Sequence, residues 1–521
     1  MPEHLRALVV ILVLAGIVFA LARGPVTEQA MAPQDFSRRR NLWFTITLVV
    51  YLAHSFWLFM AVAGVVLAFA GRREHNPLAL FAFLLFAVPP FHATLSGLGI
   101  VNQVLTLDYP RLLAITVLLP AFFRIRSQAR AAPRRWMLAD YLVVGFLLVQ
   151  LGLRYMADTW TNTARYAIYA ILDVWLPYYV ASRSLRDVQA FRDVAMSLVC
   201  ASMVVALVAV FEALRHWLLY VPLESVLGAQ WGLGNYLSRG AFLRAQGPTG
   251  QPIVLGYLMV VALGLYPYLR RSVPMQPRWW LGFALLLAGL VASFSRGPWV
   301  AALIALAVFR FSTPKAVGGA LKAGAVVGAI VLAVMASPFG AAIQAYLPFV
   351  GNIETANVDY RQHLLEASIQ VILQNPLFGS TSYMYSLVDR DLTIGGMVDV
   401  VNTYLGIGLA NGLVGLGCFA GAFAYVTFAV VRNMWRLPDH NDEQHTLGSG
   451  LLACLVGVMV TIFTVSSISF IPVVYWTVLG LGAGYAGLRA QPATGDVAEP
   501  SDGRLSLRGG LAQPSRARSA A

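Results

Sequence analysis

The chain has 521 residues, 58% hydrophobic and 12% charged, with a mean hydropathy of +0.69. That is about half the charge of a soluble domain, and repeated apolar runs of about 20 residues match a bilayer core rather than the alternation of a β-barrel. The net charge of +13 sits largely in short loops between those runs, where it sets orientation, so nucleic acid is not an expected partner.

The expected class is an all-α polytopic membrane protein with about 12–14 transmembrane helices and a large periplasmic loop containing short helices. In chain order the apolar runs fall at 5–22, 43–70, 78–99, 107–123, 138–155, 166–181, 194–213, 252–269, 279–294, 298–311, 317–336, 400–431, 448–466 and 472–488. The first resembles a signal peptide, but no convincing small-residue cleavage site follows it, and it reads as a retained span. Cys200, Cys418 and Cys454 all lie within apolar runs and have no disulfide or metal spacing.

With the N-terminus cytoplasmic, about half of the basic residues fall in the inner loops, among them "GRREHN", "RIRSQARAAPRRW" and "SRSLRDVQAFRD". Both termini are therefore expected to be cytoplasmic. Arg38, Arg39 and Arg40 dissent, since this scheme places them outside. Two outer segments, about 215–251 and 337–399, are too long for plain connections and are expected to be functional. In the second, Asp359 and Gln362 form a capping-box pattern, which predicts a helix through "YRQHLLEASIQVIL" to Asn375-Pro376.

The tail from Gln491 to Ala521 is rich in Pro, Gly, Ser and Ala and is expected to be a disordered cytoplasmic extension. The organisation expected is N-terminal transmembrane helices at 1–199, a core at 200–470 that includes the loop 337–399, a last helix at 471–490 and the tail at 491–521.

The stretch "SFSRGPW", 293–299, interrupts an apolar run from Trp279 to Phe311 that would be about 50 Å long as one helix. Basic residues flank both ends, so the run must turn back. Gly297-Pro298 supplies the break, and Pro298 suits the first turn of a new helix. Arg296 then lies on the outer face, where a cation is disfavoured by the helix dipole unless an anion binds there too. A border arginine reaching to lipid headgroups is the alternative. Arg244 in "FLRAQGPTGQPIVLGY" and Arg361 in "VDYRQHLLEAS" also stand near helix starts on that face, and three such arginines suggest one polyanionic site.

Asp173 is an ionisable group near mid-span, which makes it either a functional residue or a structural hydrogen-bonding one. Glu212 reads as interfacial, and His54 and His92 as satisfied core histidines. No HExxH, paired CxxC or carboxylate cluster points to a metal, and no Walker-type loop points to a nucleotide. No cofactor is expected.

At these residues the chain resembles the O-antigen ligase and O-antigen polymerase superfamily. The marks are "RAQGPTGQPIVLGY" (244–257), "SFSRGPW" (293–299), "YRQHLLEASIQVILQNPLFGS" (360–380) and "VNTYLGIGLANGLVGLG" (401–417), in the family's order. The resemblance covers roughly residues 200–470. It implies a multi-pass protein of the cell inner membrane, a periplasmic-face glycosyltransferase that uses a glycan on a polyprenyl diphosphate lipid, an acceptor glycan, and neither metal nor nucleotide. It assigns Arg244, Arg296 and Arg361 to diphosphate binding or catalysis, places Asn402 and Tyr404 in the family's "HNxYL" stretch, and reads Gly412 and Gly415 as small-residue helix packing.

Many ligases carry a histidine just before that asparagine, thought to assist the acceptor hydroxyl; here the position is Val401. Asp399, His363 and Glu366 are the substitutes, and the exopolysaccharide polymerase branch tolerates the difference. The resemblance also implies membrane lipids, a flippase and a chain-length regulator as partners. An anion or lipid-linked glycan transporter is the rival of another class, but internal repeats are not evident.

Overall fold

The computed structural model describes residues 1–97, 103–129, 136–239, 241–272, 276–313, 355–388, 400–438 and 442–488. The described residues are mostly helical, as expected for an all-α polytopic membrane protein. Among the described residues five helices are long and apolar enough to cross a bilayer: α1 (Glu3–Gln29), α7 (Leu138–Ala157), α10 (Val188–Arg215), α17 (Thr403–Trp435) and α18 (Glu443–Ile462). Of these α10 is the most enclosed; α1 and α18 pack against it, and α7 packs on α17, which in turn meets α18, within one apolar core that includes both Ala7 and Tyr485.

The sequence reads 43–70 as one run; the structure divides it. α2 (Pro33–Leu52) ends at His54, whose φ of 48° is a left-handed value that no helix continues through, and α3 (Phe56–Arg72) starts anew. The run at 78–99 is also not a plain helix. α4 (Pro77–Leu84), capped by the Asn76 side chain, lasts eight residues before Pro89-Pro90, which cannot donate to a helix. The chain then forms an antiparallel hairpin of β1 (His92–Ser96) and β2 (Gln103–Asp108).

Two of the following helices each contain one π-helical turn. α5 (Tyr109–Leu113) runs through Ala114–Leu118 into α6 (Leu119–Ala129), and α8 (Trp160–Ala170) through Ile171–Trp175 into α9 (Leu176–Ser184).

After α10 come the short α11 (Pro222–Leu227), the ladder of β3 (Ser238–Arg239) and β4 (Phe242–Leu243), and α12 (Pro252–Leu265). The run from Trp279 to Phe311 is a helical hairpin, α13 (Gln276–Ala292) and α14 (Arg296–Ser312), with three residues between. α15 (Thr355–Gln374) and α16 (Tyr383–Val388) precede α17, and α19 (Ile471–Ala486) follows α18. The span expected at 317–336, most of the loop 337–399 and the tail from Gln491 lie outside the described residues.

Polar contacts sort the helix ends onto two faces. On one, Arg39 is 1% exposed and bonds Glu74 at 2.8 Å and Asp193 at 2.6 Å, and Gln189 donates to the Ala30 carbonyl. Arg192 pairs with Glu443, Tyr268 donates to Glu443, and Tyr485 donates to the Gln444 carbonyl. Arg183 pairs with Asp140 at 2.8 Å, and Ser449 donates to the Ser312 carbonyl. This is the arginine-rich face. Burial pushes the Glu74 carboxyl up, but the Arg39 and Arg38 guanidiniums outweigh it and hold the group below its ordinary value.

On the opposite face Trp217 donates to Glu3 at 2.9 Å, Tyr51 donates to the Leu219 carbonyl, and His92 bridges Gln230. The extra turn at His54 thus puts Arg38, Arg39 and Arg72 on one face, which removes the dissent of the arginine triplet. It also corrects the expectation that the start of the chain shares a face with "GRREHN" and "SRSLRDVQAFRD": Glu3 lies on the other face.

Candidate functional site

The face opposite the arginine-rich one holds the tip of the α13–α14 hairpin, and the segment 238–250 is folded over it. The β3–β4 ladder turns tightly, and its two flanking arginines reach successive residues of the tip. Arg239 donates to the Phe294 carbonyl at 3.2 Å and Arg244 to the Ser295 hydroxyl at 3.1 Å. The Ala245 N–H donates to the Ala292 carbonyl at 2.9 Å, and Phe242 stacks on Phe294 with ring centroids 5.4 Å apart. Phe294 takes a φ of 45°, so the turn is tight and its ring is held outward against Phe242.

Arg296 is the first residue of α14, with Ser295 at the N-cap position and Pro298 in the first turn. Its guanidinium and that of Arg244 are both half-buried. Backbone N–H groups at a helix start and guanidiniums beside them are both donors that an anion can accept from. Of the sequence-predicted set, Arg244 and Arg296 meet here. Arg239 was missed, although it stands five residues before Arg244 in "SRGAFLR"; only the β3–β4 pairing reveals that the two share a target.

Glu212 holds this arrangement in place from below. Its carboxylate is 1% exposed and accepts the backbone N–H groups of Leu219 (3.0 Å), Gln246 (3.1 Å) and Gly247 (2.8 Å). A buried charge satisfied by three backbone donors is a loop latch, not an interfacial residue. Gly250, at φ 73°, lies flat on the Trp231 ring, where a Cβ would come within 2.6 Å of the indole. Together Glu212 and Trp231 fix the "RAQGPTG" loop that carries Arg244.

The packing at this face continues towards α17. A Cβ on Gly297 would come 2.4 Å from the Thr464 hydroxyl, so the start of α14 abuts the loop after α18. In that loop the Val465 carbonyl accepts from Thr403 at 2.7 Å, Ser466 donates to the Val400 carbonyl at 2.7 Å, and Ser469 donates to the Thr249 carbonyl at 3.1 Å. Asn402 thus lies close by, but its side-chain oxygen caps α17 by accepting the N–H groups of Tyr404 (2.9 Å) and Leu405 (3.2 Å). Tyr404 donates to the Met459 carbonyl and packs against Phe419. Both residues therefore have a structural task at the start of α17.

Arg361 and His363 are exposed on α15, as is Glu366. Because α15 begins at Thr355, Arg361 is inside the helix and does not open it, and Asp359 is not its N-cap. The buried side of α15 places Leu364, Ala367 and Val371 in a small core with Val400 and Leu409, so the helix rides on the start of α17. Asp399 lies outside the described residues.

Gly412 is not a packing glycine. It breaks α17 with φ 63° and ψ −168°, and the segment "NPLFGS" fills the break. Leu413 N–H donates to the Pro376 carbonyl (2.8 Å), Val414 N–H to the Leu377 carbonyl (3.1 Å), and Ser380 N–H to the Leu409 carbonyl (2.8 Å). The outer loop is thereby stitched into a broken helix.

Asp173 sits in the second π-helical turn and receives Arg111 through both of its oxygens, with the closest approach at 2.9 Å. Arg111 also stacks 3.9 Å from the Tyr169 ring and donates to the Thr106 carbonyl at the base of the β1–β2 hairpin. No group of three or more His, Cys, Asp or Glu suited to a metal occurs among the described residues.

No curated protein matches this chain. Residues 281–420, from α13 through the Gly412 break of α17, match the family model described as O-antigen ligase, which supports the O-antigen ligase and polymerase superfamily.

Proposed function

We propose that the chain is an inner-membrane polysaccharide polymerase, which joins polyprenyl-diphosphate-linked repeat units at the periplasmic face. The observation that carries this reading is that Arg239 and Arg244 reach Phe294 and Ser295, the two residues immediately before Arg296, which opens α14. The arginine-rich face is then cytoplasmic by the positive-inside rule, and α1 begins at the periplasmic face.

In this reading an acceptor hydroxyl attacks the donor's anomeric carbon, the bond to the diphosphate breaks, and polyprenyl diphosphate leaves as a polyanion. Guanidiniums and helix N–H groups aimed at that leaving group stabilise the developing charge with no metal. Arg244 and Arg296 bind the diphosphate, and Arg239 steadies the tip. Arg361 on α15 serves the same polyanion from the loop side. The hydroxyl proton passes to a base from the outer loop, with Asp399 first and His363 and Glu366 after it.

Val401 at the usual histidine position favours a polymerase. The matched family's description as O-antigen ligase favours a second reading, transfer of finished glycan to lipid A-core or protein. A clean deletion followed by analysis of lipid-linked glycans separates them. Single repeats accumulating on the carrier support polymerase, and long polymer accumulating on the carrier supports ligase. Unchanged glycans would overturn both. A flippase and a chain-length regulator are the partners such a polymerase requires.

A further inference from the structure

An apolar groove of about 220 Å³ lies between α1, α10 and α13, lined by Ile17, Leu21, Met196, Cys200 and Leu285 among others. It opens sideways, because Ile17, Leu21 and Leu281 on its rim are 47%, 56% and 58% exposed. Its lining carries one charged side chain, Arg278.

Three observations say what fills it. The first is length. The lining runs from Ile17 to Val26 on α1 and from Met196 to Leu207 on α10. At 1.5 Å per residue these are about 14 and about 16 Å, half of a hydrocarbon core about 30 Å thick. The groove therefore has the depth of one leaflet.

The second is level. Arg278 is followed by Trp279 and Trp280, the pairing of cation and indole that marks a membrane–water boundary, here at the arginine-rich face. The third is charge. The Arg278 guanidinium lies beside Gly24, where a Cβ would be 3.3 Å from its Nη1, next to exposed Arg23. Arg270 stacks on Trp279 at 5.8 Å. Glu28 approaches the same glycine, with its Oε1 4.0 Å from that Cβ position, and leaves the mouth net positive. Arg278 has no hydrogen-bond or ion-pair partner among the described residues.

We infer that this groove binds an anionic glycerophospholipid of the leaflet at the arginine-rich face, with one acyl chain between α1 and α13 and the phosphate on Arg278. The site is on the opposite side of the molecule from Arg244 and Arg296 and stands independently of the reaction proposed there. A guanidinium gives a phosphodiester two parallel donors, which a zwitterionic headgroup partly cancels with its own cation.

The test is native mass spectrometry and thermal unfolding of the purified, delipidated full chain with added phosphatidylglycerol, phosphatidylcholine or a polyprenyl monophosphate. Phosphatidylglycerol is expected to bind about tenfold more tightly than phosphatidylcholine, a difference of about 1.4 kcal/mol, and to raise the melting temperature. Arg278→Gln removes the preference, and Ala22→Trp, which fills the groove, weakens retention of phosphatidylglycerol. Equal retention of the two phospholipids by the unaltered chain overturns the inference, as does stronger retention of the polyprenyl phosphate. If either variant misfolds, the comparison of lipids on the unaltered chain still decides.

Discussion

Replacing Glu212 with Gln perturbs the loop that carries Arg244 without touching an arginine. One carboxylate oxygen accepts Gln246 N–H and Gly247 N–H, and the other accepts Leu219 N–H. An amide has one acceptor oxygen and no charge, so in its best orientation it loses the Leu219 bond, turns an NH₂ group towards that donor, and offers Gln246 and Gly247 only a neutral acceptor. Each bond to a charged acceptor contributes about 1.5–3 kcal/mol and each to a neutral one about 0.5–1.5, so weakening the two loop bonds by about 1 kcal/mol apiece raises the population of the opened loop by about 30-fold. Hydrogen exchange on the purified protein reads this directly. Peptides covering 244–251 are expected to exchange faster by about that factor, while α13 keeps its protection and polymer formation falls. Unchanged exchange at 244–251 in Glu212→Gln would refute the latch.

Four further outcomes are expected. Gly412→Ala forces a side chain into backbone geometry that essentially only glycine adopts, at a cost of about 1–3 kcal/mol, and sets its Cβ 2.3 Å from the Leu377 carbonyl oxygen; proteolysis of the 375–380 segment should quicken, and wild-type resistance would count against the stitched break. Arg39→Met leaves Glu74 and Asp193 buried without their cation and should destabilise the detergent-solubilised protein by about 3–5 kcal/mol, read by thermal unfolding.

The Glu74 carboxyl is held below its ordinary value, so its contribution is complete above the unfolded-state value and is lost as pH falls through the lower folded one. Glu74→Gln should therefore flatten the acid limb of a melting-temperature profile, and an unaltered limb would exclude this group. Arg111→Ala strands Asp173 at the π-helical turn and should lower stability more than the double variant Arg111→Ala with Asp173→Asn, with equal losses contradicting the pairing.

Much of the architecture was legible because hydropathy and flanking charge are strong, local signals. The α13–α14 hairpin followed from a run too long for one crossing with arginines at both ends, and the structure turns at 293–295. The helix break at His54 was hidden, because a histidine in left-handed geometry has no sequence mark comparable to glycine or proline. That one turn reverses the face on which the chain begins. In the site, Arg244 and Arg296 could be picked out as cations near helix starts, but Arg239 and Glu212 act through backbone groups far away in sequence. Gly412 shows the same limit: its spacing fits helix packing, and only the tertiary insertion of 376–380 makes it a break.

The central claim is that Arg244 and Arg296 together hold the diphosphate of the donor lipid. The most direct measurement is product formation from a purified polyprenyl-diphosphate-linked glycan by the chain in proteoliposomes, comparing the unaltered protein with Arg296→Ala, Arg296→Lys and Arg244→Ala. Each variant is expected to insert and fold normally yet lose polymer by about 100-fold or more, with lysine rescuing Arg296 poorly because it cannot bond a phosphate bidentately. Wild-type polymer from both alanine variants would contradict the claim.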